Sequence, residues 1–187
     1  MIKLHNVSFG YKEKPVFKNL NLEIAGGERV MLSGASGVGK TTLLRLILGL
    51  EKPSGGTVDT GDAVISAVFQ EDRLLPFKTV LENITLFASG EAAYECLEAL
   101  GVSSAANLYP AALSGGMARR VAIARALARQ ADVYVLDEPF SGLDRENILA
   151  AAEFINKKTE GKTLVAVSHI AGDAELLHTR VVDISSL

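Results

Sequence analysis

Apolar and polar residues alternate over residues 2–9 (IKLHNVSF) and 16–24 (VFKNLNLEI). Alternation puts every second side chain on one face, so both stretches predict half-buried strands, with GYKEKP between them as a turn. Residues 29–33 (RVMLS) form a short apolar run that ends in the glycine-rich GASGVGKT, and residues 42–50 (TLLRLILGL) then repeat apolar positions at helical spacing. This reads as strand, glycine loop, helix. The same order of short strand and following helix recurs at 133–136 (VYVL) before 145–158, and at 163–167 (TLVAV) before 170–177. Strands alternating with helices imply a mainly parallel α/β sheet. From 79 to 113 the strand signal disappears, and Ala93, Cys96, Leu97 and Leu100 fall on one helical face, predicting a small helical insert. Residues 117–129 predict a further helix, and 180–185 a last strand.

Composition narrows the function. The chain has 187 residues, 48% of them hydrophobic, with a formal net charge of −3. Its length predicts one domain, and its hydrophobic content excludes a disordered tail protein. The mild acidity provides no broad cationic field for nucleic-acid phosphates, so no nucleic-acid partner is expected. A single cysteine, Cys96, rules out an internal disulfide and a cysteine-rich zinc site. The N-terminus lacks the pattern of a signal peptide, and no window approaches 18 uninterrupted apolar residues, so a cytoplasmic chain that does not span a membrane by itself is expected.

Gly34 to Thr41 matches G-x-x-x-x-G-K-[ST] between a predicted strand and a predicted helix, as a phosphate-binding loop requires. Its glycines let backbone N–H groups turn inward around phosphates, the helix N-terminus adds partial positive charge, and Lys40 adds a full one. Ser36, Gly37, Val38, Gly39, Lys40, Thr41 and Thr42 are therefore the candidate nucleotide contacts. The Thr41 hydroxyl is a candidate Mg²⁺ ligand, and Thr42 a candidate contact for the α-phosphate. A serine-hydrolase elbow does not fit, because Val38 stands where G-x-S-x-G needs glycine.

Asp137 and Glu138 close the apolar strand VYVLDE, at the edge of the sheet where ligands collect in open α/β folds. Side chains alternate along a strand, so Asp137 is expected to hold Mg²⁺ through water while Glu138 faces an attacking water. His169 directly follows the strand TLVAVS, at another carboxyl end, from which imidazole can reach a γ-phosphate. The arginines of the helix RRVAIARALAR are expected on a solvated basic face.

With LSGGM at residues 113–117, the chain resembles the ATP-binding-cassette ATPases, the nucleotide-binding subunits of ABC transporters. The parts follow the family's order: Tyr11 as adenine-stacking aromatic, GASGVGKT, Gln70, LSGGM, VYVLDEP, SGLD at 141–144 and His169. Within the family, VFQEDRLLPFKTVLENI and the methionine of LSGGM are similar to the nitrate, sulfonate and taurine importer group. Met117 stands for the commoner glutamine, Ile170 for an aspartate and Gly142 for an alanine; none of these removes a group that does chemistry.

The resemblance implies an α/β P-loop NTPase core with a mainly parallel sheet, an N-terminal antiparallel β subdomain and a short helical insert. The expected division is a single domain, 1–187, with a core of about 1–78 and 118–187 and a helical subdomain of about 79–117. Against the family the insert is expected to be short, and no regulatory domain is expected after the last strand. ATP and Mg²⁺ are the implied ligands, with Glu138, His169, Gln70 and Lys40 catalytic and Thr41, Gln70 and Asp137 on the metal. Two copies, or a copy and a related cassette, are expected to meet on ATP binding, Ser114, Gly115 and Gly116 facing the partner's nucleotide. Permease subunits are expected to dock near Leu74, Leu75, Pro76 and Phe77, which places the chain on the cytoplasmic face of the membrane. A non-transport ABC-type ATPase and a small P-loop metabolite kinase are the competing readings; the kinase needs neither LSGGM nor the ordered SGLD and His169.

Overall fold

A computed structural model describes residues 1–12, 14–170 and 172–187. Among them the chain forms two sheets. In the first, β1 (Ile2–Tyr11) pairs antiparallel with β2 (Lys14–Ile24) on one side and β4 (Gly55–Asp59) on the other. The second is parallel, in the order β5 (Ile65–Val68), β6 (Val133–Asp137), β7 (Thr163–Val167), β3 (Arg29–Ser33), β8 (Arg180–Asp183).

Every residue of β6 and β7 is buried, as expected of central parallel strands covered on both faces. Their alternate side chains feed two separate cores. Val133, Val135, Val165 and Val167 pack with α1 (Lys40–Ile47) and the antiparallel sheet. Tyr134, Leu136, Leu164 and Ala166 pack on the opposite face with α2 (Val80–Thr85), α3 (Gly90–Ala99), α4 (Gly115–Ala128) and α5 (Arg145–Lys158). Ala93, Cys96, Leu97 and Leu100 are all buried there, so the i, i+3, i+4, i+7 face predicted for the insert is its packing face. Burial raises the Cys96 thiol to about 11, which makes it an inert core group.

Two strands are additional to the sequence reading. β4 (GGTVD) is short and shows no clean alternation, and β5 (ISAV) alternates partly buried with buried positions over only four residues. β4 exists through its pairing with β1, where a Cβ on Gly56 would meet the His5 and Asn6 carbonyl oxygens at 2.3 Å. Only glycine allows that approach. The helix expected over 170–177 is the shorter α6 (Asp173–Leu176), and the strand expected to reach 185 ends at Asp183 in a 3₁₀ turn. Glu13, in the expected turn, and residue 171, in the expected helix, lie outside the described residues. No helix among the described residues is long and apolar enough to cross a membrane.

Candidate functional site

The carboxyl ends of β3, β6 and β7 lie side by side in the parallel sheet, so the segments following them converge. After β3 the chain turns through Gly34 (φ 142°), Gly37 (φ 80°) and Gly39 (φ 111°) and enters α1 at Lys40. A Cβ on Gly39 would lie 2.6 Å from Val16 Cγ1 and 2.7 Å from Phe17 Cζ, so the loop is pressed against β2. The first turn of α1 carries no acidic residue and no side-chain cap, which leaves its N–H groups to an anion.

Lys40 is buried, and its Nζ donates to the carbonyl oxygens of Gly34 (2.7 Å) and Ala35 (3.0 Å). The ammonium is thus curled into its own loop. Ser36, Gly37, Gly39, Lys40, Thr41 and Thr42 line a cavity of about 250 Å³ together with Gln70, Asp137, Glu138 and His169. The structure therefore brings the catalytic and metal candidates that follow four strands, β3, β5, β6 and β7, into one space. Val38 lies outside this lining; its N–H donates to Ala35 O and its side chain packs toward the core.

Asp137 ends β6 at 5% exposure, and Glu138 follows it with φ 52°, a left-handed backbone rare for a residue with a side chain. Glu138 N donates to Val167 O, which ties the turn to the neighbouring strand. Burial is the main cause that raises both carboxyls above the ordinary carboxylate range. The Thr41 hydroxyl opposes it most at Asp137, and His169 at Glu138. His169 Nε2 lies 3.2 Å from Glu138 Oε1, yet that oxygen and Asp137 Oδ1 are buried without a hydrogen-bond partner among the described residues. The 3.2 Å contact is close in distance without the alignment of a hydrogen bond.

Tyr11 and the LSGGM segment stand apart from this cavity. Tyr11 is exposed at the end of β1, its ring edge-on to Phe9 at 5.0 Å. Ser114 caps α4 by accepting from Met117 N at 3.3 Å, and Gly115 and Gly116 follow as the helix's first residues. Ser114 and Gly115 are exposed, so this helix start faces outward.

The four residues of LLPF divide. Leu74 packs against the core, whereas Leu75 is 44% and Phe77 91% exposed. Asn83, absent from the sequence reading, braces this loop: it is fully buried, its Oδ1 accepts from Leu75 N, and its Nδ2 donates to the carbonyls of Leu75, Lys78 and Thr79. Beside the loop runs a groove of about 380 Å³ lined by Leu48, Leu50, Ile65, Phe69, Leu75 and Phe87, with Arg73, Arg125 and Arg129 among its walls.

The expected solvated basic face of α4 is corrected. Arg119 is buried, paired with Asp72 at 3.2 Å, and surrounded by backbone carbonyls. Arg125 is partly buried and donates to Asp72 O and Arg73 O. Helical periodicity misses both because their acceptors come from other segments, 18 to 53 residues away in sequence.

Residues 17–141 match the family model described as "ABC transporter". The chain is 38% identical to an aliphatic sulfonates import ATP-binding protein (SsuB 3) of Pseudomonas savastanoi pv. phaseolicola, over 97% of this chain and 72% of that protein. It is 39% identical to the protein of the same description from Yersinia pestis bv. Antiqua, over 96% of this chain and 71% of the relative. Among solved structures, a dimeric ATP-binding cassette in a post-hydrolysis state with ADP and Pi matches at TM-score 0.85 and 34% identity, over 98% of this chain and 95% of that one.

Proposed function

The chain belongs to the ABC transporter family, and from that membership we propose that it binds and hydrolyses ATP as one of two cassettes that drive a membrane importer. The observation that carries this reading is the single cavity shared by Lys40, Thr41, the acid pair and His169. A residue set gathered from three strand ends is what in-line attack of water on a terminal phosphate needs.

In the proposed mechanism the incoming phosphates draw Lys40 away from the Gly34 and Ala35 carbonyls and occupy the N–H groups of the loop and of α1. Tyr11 stacks on the adenine, and Ser36 to Thr42 enclose the phosphates. The fit for Mg²⁺ rests on Asp137 Oδ1, a buried acceptor without a partner among the described residues, beside the Thr41 hydroxyl. Thr41 and Gln70 would hold the ion directly and Asp137 through water, while ATP phosphates complete an oxygen set. Bound there, Mg²⁺ offsets charge on the phosphate oxygens.

Glu138 takes a proton from the attacking water as its oxygen bonds to the γ-phosphorus and the bond to the β-phosphate oxygen breaks, giving ADP and phosphate. A base works best with a pKa lifted toward the working pH, the direction burial gives Glu138. His169 fixes the γ-phosphate, and Gln70 contacts the metal or the water.

The outward start of α4 supplies the second half of the site. Ser114, Gly115 and Gly116 would close on the nucleotide of a second cassette, so ATP becomes part of a two-chain interface. Residues of about 1–78 and 118–187 then act as core, and about 79–117 as the arm that presents this helix start. Exposed Leu75 and Phe77 beside the apolar groove receive a segment of a permease subunit, which holds the chain at the cytoplasmic membrane face. The relatives' printed activity favours sulfonate import over the other cargoes of the resembling group.

The test is ATP-dependent sedimentation of wild type and Glu138→Gln with Mg²⁺, alongside phosphate release. The expected result is a stable ATP-bound dimer of Glu138→Gln with turnover lowered about 10²- to 10⁴-fold. Wild-type turnover in that variant overturns the assignment.

A further inference from the structure

Arg119 is 3% exposed, one turn into α4, and every N–H of its guanidinium has an acceptor. Nε donates to Pro139 O (3.0 Å), and Nη2 to Asp137 O (2.7 Å) and Glu138 O. Nη1 reaches Phe69 O (2.5 Å) and Asp72 Oδ1 (3.2 Å), with Gln70 O at 3.4 Å. Asp72 is its one carboxylate partner among the described residues. Three consecutive carbonyls, beginning with the last residue of β6, therefore bend around one cation, and Glu138, the middle one, holds φ 52°.

A left-handed backbone at a side-chain-bearing residue persists only where its surroundings over-determine it. Here the surroundings are Arg119 and the Ser141 N–H on the carbonyl side and Val167 O on the N–H side, and of these Arg119 is the side chain that also reaches a second segment. The backbone direction at Glu138 sets where its carboxylate points. The same guanidinium anchors the loop of Gln70, which leaves a different strand, β5. A planar fork with five donors can satisfy acceptors arriving from both segments, whereas the point charge of lysine cannot.

We propose that Arg119 is a positioning residue for hydrolysis: from the helix that begins at Ser114–Gly116 it fixes the backbone of Glu138 and the loop of Gln70 together. The inference rests on the ATPase reading above. It makes the helix start that faces a partner's nucleotide, the base and the glutamine loop parts of one framework, although Arg119 lies outside the phosphate cavity.

The test is steady-state phosphate release by the full chain, resolved into kcat and KM, with thermal unfolding of each variant. Arg119→Gln is expected to lower kcat at least about tenfold while KM for ATP stays within about threefold, because Lys40, Thr41 and the phosphate loop do not contact it. Arg119→Lys is expected to restore little of the loss. Asp72→Ala removes the carboxylate partner at a part-exposed position and leaves the Phe69 and Gln70 carbonyls in place; it is expected to keep the fold, lower kcat about threefold or more and be non-additive with Gln70→Ala. A folded Arg119→Gln with wild-type kcat overturns the inference, as do kcat and KM worsening together in step with lost stability. If Arg119→Gln does not fold, unchanged kcat in Asp72→Ala overturns it. A wild type that neither binds nor hydrolyses ATP defeats the functional reading itself, a result distinct from wild-type turnover that survives these substitutions.

Discussion

His169 Nε2 and Glu138 Oε1 lie 3.2 Å apart across the ends of two neighbouring strands, and that carboxylate oxygen is buried without a hydrogen bond among the described residues. Distance without alignment leaves both groups able to reorient toward a third atom placed between them. In the proposed ATPase that atom belongs to the attacking water or the γ-phosphate. His169→Ala is then expected to lower kcat about 10²- to 10³-fold with a smaller change in ATP affinity, measured by phosphate release and nucleotide titration.

The acid pair predicts a pH dependence of stability in the nucleotide-free chain. Asp137 and Glu138 have folded pKa values above their ordinary 3.8 and 4.5, so the folded state holds more protons than the unfolded state over the window above those values. Stability therefore falls as pH rises through that window and levels off once both groups are ionised. Glu138→Gln removes one buried charge and is expected to raise the unfolding midpoint at pH 7, with chelator present, by about 2–4 °C, roughly 1 kcal/mol for a chain of this size. A midpoint lower than that of wild type would show that the carboxylate is compensated.

Lys40 predicts a loss of nucleotide binding without a loss of fold. Its two carbonyl partners are loop oxygens that phosphates would replace, so Lys40→Met removes a charge-assisted contact to phosphate. ATP affinity is expected to fall about 10- to 100-fold, the equivalent of roughly 1.5–3 kcal/mol. Isothermal titration and thermal unfolding together check it: weakened binding with near-wild-type stability is the expected pair of results.

The parts legible in the sequence share a physical property: their signal is local. Alternation in β1 and β2, the apolar runs within β3, β6 and β7, and the glycine spacing of the phosphate loop each reflect an environment set within a few residues. β4 and β5 gave no such signal, since GGTVD is a half-exposed strand defined by its register with β1, and ISAV spans only four residues. Among the candidate site residues, Lys40, Thr41, Asp137, Glu138 and His169 stood out because each sits at a strand or loop boundary. Arg119 and Asn83 did not. Their roles depend on carbonyls brought near by folding, and charge on a helix or an amide beside a loop carries no mark of burial.

The division of LLPF predicts two separable outcomes. Phe77→Glu changes a side chain that is 91% exposed, so stability is expected to stay within about 0.5 kcal/mol and soluble ATPase activity to persist, while binding to the membrane subunits is lost. Leu74→Ala removes a side chain packed on the core and is expected to cost roughly 1–3 kcal/mol. Co-purification with the permease, set beside unfolding curves, separates docking from packing.

Asn83 supplies the most exacting test of how the docking loop is held. Its fully buried amide makes four hydrogen bonds, one accepted from Leu75 N and three donated to Leu75, Lys78 and Thr79 carbonyls. Asn83→Ala leaves those backbone groups with no partner from this side chain and opens space beneath the loop, at an expected cost of roughly 2–4 kcal/mol. Because the bonds converge on residues 75–79 and not on the phosphate cavity, ATP affinity per folded molecule is expected to stay near wild type. Hydrogen exchange should speed up at the Leu75 amide while β6 and β7 stay protected. Uniform acceleration across all three segments would instead mark Asn83 as a global stabiliser with no particular hold on the surface that Leu75 and Phe77 present.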